Sequence, residues 1–92
     1  MEEKYLPLGS IVKIVGISDF ILIIGVHQIS EGETYQYSGC VHPYGYVSAE
    51  KLILFNSDVI EEVVFRGYYD DETKEFFEDL DWLDSKEKKE GN

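Results

Sequence analysis

The chain has 92 residues, of which 43% are hydrophobic and 14% aromatic, and its 19 acidic against 8 basic side chains give a formal charge of −11. That length leaves no room for two independent cores, and that apolar share is too high for a disordered chain. The acidic field repels phosphate backbones and anionic lipid headgroups and favours basic surfaces, so nucleic acid and membrane are not expected as partners.

Along the chain, Tyr5-Leu6-Pro7-Leu8-Gly9-Ser10 reads as a non-helical lead-in, because Pro7 disfavours the helical basin for Leu6 and Gly9 breaks a nascent turn. Ile11-Val12-Lys13-Ile14-Val15 is β-branched at four of five positions and predicts a strand, followed by turn chemistry at Gly16-Ile17-Ser18-Asp19. Phe20-Ile21-Leu22-Ile23-Ile24-Gly25-Val26 has no polar alternation, which predicts a central strand covered on both faces. Gly32, within Ser30-Glu31-Gly32-Glu33, supplies the positive φ of a hairpin turn. In Thr34-Tyr35-Gln36-Tyr37-Ser38 the alternation puts Tyr35 and Tyr37 on one face, and Gly39 reads as a bulge or bend. After the turn His42-Pro43-Tyr44-Gly45-Tyr46 come a fourth strand, Leu52-Ile53-Leu54-Phe55, and a fifth, Glu62-Val63-Val64-Phe65-Arg66-Gly67-Tyr68.

From Asp70 the period becomes helical. Tyr69, Thr73, Phe76, Leu80 and Leu83 form an apolar stripe with Phe77 at its edge, and Asp70 is placed to cap the first turn. The expected architecture is mainly β with α+β character: a five-stranded bent antiparallel sheet or small SH3-like barrel, closed on one side by one C-terminal α-helix. An open sheet with the helix across one face is the alternative. Residues 1–84 form one domain, with the helix over about 70–84, and the apolar-free stretch 85–92 reads as a frayed charged tail.

Cys40 is the only cysteine, the opening Met1-Glu2-Glu3-Lys4 is not a secretory leader, and the longest apolar run is far short of a membrane helix. These features point to a cytoplasmic protein. Cys40 and His42 could form a nucleophile pair or two metal ligands. A buried thiol and a turn histidine is the preferred reading, because the four ligands of a structural zinc site are not at hand. Adjacent acids such as Glu61-Glu62 and Asp70-Asp71 read as solvated faces, and the glycines follow no phosphate-loop or calcium-loop pattern. No catalytic, metal or cofactor site is therefore expected, and the chain does not read as an enzyme.

Two features suit a binding surface. Tyr35, Tyr37, Tyr44 and Tyr46 surround the glycine-rich turn, and each combines apolar area with a polar tip; half-buried strand tyrosines are the plainer reading. Trp82 falls outside the helix stripe beside Glu78 and Asp79, where it would serve as a hot spot unless it folds back on the helix end. These seven residues are the candidate partner-binding set. The acidity is concentrated late, with a net charge of −4 over residues 1–60 and −7 over 61–92, and reads either as a solubilising skin or as a docking surface.

Tyr5-Leu6-Pro7-Leu8-Gly9-Ser10-Ile11-Val12, Tyr35-Gln36-Tyr37-Ser38-Gly39-Cys40 with Pro43, Gly45 and Tyr46, and Glu61-Glu62-Val63-Val64-Phe65-Arg66-Gly67-Tyr68 together resemble the domain of unknown function 4176 (DUF4176) family. The resemblance covers nearly the whole chain up to the C-terminal helix. It implies a small protein of Gram-positive bacteria, of a kind often encoded beside LXG toxins exported by type VII secretion. The role implied is a cytoplasmic chaperone or adaptor that binds a partner toxin or secretion factor. An immunity protein is the close alternative, a Cys40/His42 enzyme a more distant one, and a DNA-mimicking inhibitor the last. Nothing in the sequence fixes the oligomeric state, and the resemblance carries no functional residues with it.

Overall fold

The structure is a computed structural model that describes residues 5–90, and the side chains of residues 5–83. Five strands, β1 (Ile11–Ile14), β2 (Ile21–Ser30), β3 (Glu33–Val41), β4 (Ile53–Phe55) and β5 (Ile60–Phe65), precede one helix, α1 (Asp71–Glu90). The strands form one antiparallel sheet in the order β4-β3-β2-β1-β5. The sheet is open. β4 and β5 stand at its two edges and do not pair, so the barrel alternative is not formed.

Cross-strand partners share a face, and three rows build the core. Val12, Ile21 and Val41 lie side by side, as do Ile23, Gly39 and Ile53, and then Val26, Tyr37 and Phe55. Over them pack Tyr5 from the lead-in and Phe77 and Leu80 from α1, all buried. The Tyr5 ring meets Tyr37 edge-on at 6.2 Å and Phe77 at 5.5 Å. The helix therefore covers one face, as sequence periodicity predicts, but its buried line is Phe77 and Leu80. Phe76 and Leu83, expected in the stripe, are substantially exposed. The buried line keeps Leu80 and shifts from Phe76 to Phe77, whose ring meets both Tyr5 and Tyr69.

Two local devices shape the sheet. Glu31 and Gly32 take φ of 51° and 83° between the paired Ser30 and Glu33, which is the two-residue turn whose twist suits antiparallel strands. Gly39 is not the bulge it reads as. The register shifts on the facing strand, between Ile23 and Gly25, and a Cβ on Gly39 would stand 2.5 Å from Ile21 Cγ2 and 2.9 Å from the Leu22 carbonyl. Close packing is what requires a glycine there.

The helix start is as expected: Asp70 accepts from the Thr73 backbone N–H at 3.0 Å and from its hydroxyl at 2.9 Å. The far end differs. α1 runs through Glu90, six residues past the expected end at Asp84, so the frayed stretch anticipated from residue 85 is helical as far as it is described; Gly91 and Asn92 lie outside the described residues.

Candidate functional site

Strand alternation turns Ser38 and Cys40 away from the helix-covered core that Tyr37, Gly39 and Val41 face. Cys40 is buried all the same, because the chain after β3 folds back over it. The Tyr44 and Gly45 amides both donate to the Val41 carbonyl, at 3.0 and 3.1 Å, and Gly45 accepts the turn with φ 74°. A short 3-10 turn, Ala49–Lys51, follows, closed by the Lys51 amide on the Ser48 carbonyl at 3.0 Å. Between this loop and the sheet lies a cavity of about 340 Å³. It is lined by Cys40, Val41, Tyr44, Val47, Ser48, Lys51 and Leu52, and among the described residues Lys51 is the charged one at it. Its size falls within the range of small-molecule sites.

The seven candidate partner-binding residues do not form one surface. Tyr37 is 1% exposed in the middle of the core, its hydroxyl accepting from the Leu6 amide, so it is a packing residue that no partner can reach. Tyr35 is half-buried, two positions nearer the hairpin. Tyr44 and Tyr46, at 75% and 61% exposure, stand out on the loop beyond β3, where Tyr44 also walls the cavity. Glu78, Asp79 and Trp82 lie four and three residues apart on exposed helix surface, so they do adjoin one another on α1.

The Cys40/His42 pair is separated by environment. Cys40 is buried against the cavity, while His42 is exposed, with its amide bonded to the Phe20 carbonyl at 2.9 Å and its ring tilted over Phe20. Among the described residues no cluster of three His, Cys, Asp or Glu side chains is placed to hold a metal ion, and no helix is long and apolar enough to cross a membrane.

Sequence reasoning missed two features. The cavity residues Val47, Ser48, Lys51 and Leu52 carry no motif, and only the Pro43/Gly45 turn marks a loop that doubles back. The second is the free edge at β5. Val63, Val64 and Phe65 are 46%, 41% and 58% exposed there, beside the exposed acids Glu61 and Glu62. The segment reads clearly as a strand, but edge position depends on pairing that the sequence does not encode locally.

These features define a small α+β domain with an open antiparallel sheet, one face closed by a capped acidic helix and one edge strand left apolar. The chain belongs to the family described as Domain of unknown function (DUF4176), whose model matches residues 5–76. That match takes in the sheet and the first turns of α1. No curated protein and no solved structure matches the chain.

Proposed function

We propose that this chain is a protein-binding accessory factor, a chaperone or adaptor that holds an LXG-type toxin in the cytoplasm before export by type VII secretion. The observation that carries the reading is the β5 edge. An edge strand presents a row of unpaired backbone donors and acceptors, and soluble proteins ordinarily blunt it with short length, charge or cover. Here the strand has six residues, and its end, Val63-Val64-Phe65, is apolar and exposed. That surface suits strand addition by an extended partner segment, with backbone hydrogen bonds giving affinity and the apolar side chains giving selectivity. Glu61 and Glu62 and the acidic surface of α1 favour a partner that carries basic residues. The family resemblance implies the same reading, since it suggests a gene encoded beside an LXG toxin.

Co-expression with the neighbouring LXG toxin tests it. The tagged chain retains the toxin through purification, and Val64→Lys, which puts a charge on the edge, releases it. A wild-type chain that retains no neighbouring toxin overturns the reading. Protection of cells from the toxin's catalytic domain, without any change in toxin stability or export, would instead indicate an immunity protein.

A further inference from the structure

The cavity under the 42–52 loop lies toward the β3/β4 end of the sheet, at the opposite end of the strand order from β5. It has its own chemistry. Its lining residues bring aliphatic groups, a thiol and a phenol ring together with one ammonium and one hydroxyl. Among the described residues no carboxylate lines it, in a chain whose formal charge is −11. The acids of α1 project from the helix that packs on the core cluster, and Glu50, next to Lys51 on the 3-10 turn, does not line the cavity, so Lys51 is the charge at its lining.

We infer that this cavity is a binding site for a small amphipathic monocarboxylate, its aliphatic or aryl body held between Cys40, Val47 and Leu52 and its carboxylate on Lys51. An apolar body gains by leaving water for such walls roughly in proportion to its buried area. Tyr44, 75% exposed, adds an aromatic ring to the lining. The charge sets the direction of selectivity. A carboxylate at the mouth pairs with Lys51, an alcohol of the same length gains only the burial, and an amine meets a like charge. The loop is held in shape by the Tyr44, Gly45, Lys51 and Leu52 amide hydrogen bonds, so the site is formed before the ligand arrives.

The inference is independent of the docking role assigned to β5 and stands or falls by itself. Octanoate, 1-octanol and octylammonium, each titrated into the ¹⁵N-labelled full-length chain, provide the test. Octanoate produces saturable amide shifts at Cys40, residues 44–48, Lys51 and Leu52, whereas octylammonium binds more weakly than octanol. Lys51→Gln weakens octanoate about three- to fivefold, to the level of octanol, as loss of one solvent-accessible ion pair requires. Val47→Trp, at a position already 62% exposed, fills the mouth and abolishes the shifts while leaving the β2 amides unmoved, which shows that the variant is folded. The inference is overturned by shifts that do not saturate or that map elsewhere, by octylammonium binding as well as octanoate, or by Val47→Trp binding octanoate like the wild type.

Discussion

The Leu6 backbone N–H donates to the Tyr37 hydroxyl at 2.9 Å, joining the lead-in to the centre of β3 across 31 positions of sequence. Tyr37 is 1% exposed and stacks near Phe55 at 5.4 Å, so its ring serves the core while its oxygen holds down the strand's first cover. Tyr37→Phe keeps the ring and leaves the Leu6 amide without an acceptor, at a cost of about 1–2 kcal/mol. Burial pushes the Tyr37 phenol above its ordinary value, against smaller opposing pulls from the Leu6 amide and from the Arg66 charge. A group raised in the folded state adds stability that is complete below its unfolded value, about 10, and lost as pH rises beyond it. The stability gap between wild type and Tyr37→Phe, measured by urea unfolding, is therefore full at pH 7 and narrows above pH 10. A gap that widens with alkali would contradict this.

Gly67 tests a second crossing of the lead-in. Its amide donates to Ser10 Oγ at 2.9 Å, and that hydroxyl donates in turn to the Pro7 carbonyl at 2.7 Å. A Cβ at Gly67 would fall on the Leu8 carbonyl oxygen, with the Ser10 nitrogen 2.9 Å away; both are backbone atoms that no rotamer change can move. Gly67→Ala therefore costs about 3 kcal/mol through overpacking. Gly16→Ala is the control: nothing stands within 4 Å of its Cβ, but φ is +85°, so left-handed strain alone costs about 1 kcal/mol. Denaturant midpoints rank the two, and equal losses would show that the Gly67 contact relaxes.

Much of the sheet is legible in the sequence because β-branched runs and turn residues mark strands locally. Asp70 likewise announces the helix start three residues before the Thr73 amide it accepts. Pairing is what local pattern cannot supply. Tyr35 and Tyr37 share an alternating face in the sequence, yet one is half-buried and the other lies under Tyr5, because the lead-in covers only part of β3. Gly39 looks like a bend for the same reason: its demand comes from Ile21, 18 positions away. The cavity needs Leu52 brought back over Cys40, and the edge at β5 exists only because β4 lies at the far side of the sheet.

The Asp70 cap makes the helix sensitive to acid. Hydrogen bonds from the Thr73 amide first, and then from its hydroxyl, hold the Asp70 carboxyl below the ordinary range. A lowered carboxyl contributes stability that is complete above its unfolded value, about 3.9, and is lost as pH falls through the lower folded value. Asp70→Asn can still accept the Thr73 amide and does not titrate, so the wild type's advantage over it shrinks between pH 6 and pH 3. Asp70→Ala loses the acceptor and is less helical at both values. Thermal unfolding followed by circular dichroism at 222 nm reads all three, and an Asp70→Asn chain with the wild type's acid sensitivity would assign that sensitivity to other carboxyls.

The β2–β3 hairpin carries a residue poorly matched to its conformation. Glu31 holds φ at 51°, where a side chain crowds its own carbonyl, and Gly32 at 83° does not. The type I′ turn favours Asn followed by Gly, since the short amide tolerates the left-handed region. Glu31→Asn converts the turn to that pair and stabilises the chain by about 0.5–1 kcal/mol. Glu31→Val destabilises it, because a β-branched residue is the least tolerant of positive φ. Both positions of the turn are exposed, so neither change disturbs packing. In urea the midpoint rises for Glu31→Asn and falls for Glu31→Val, with the slope unchanged in each, as expected when the surface exposed on unfolding is the same. If Glu31→Asn lowered the midpoint, the carboxylate of Glu31 would have to be contributing more through its surroundings than the backbone strain costs.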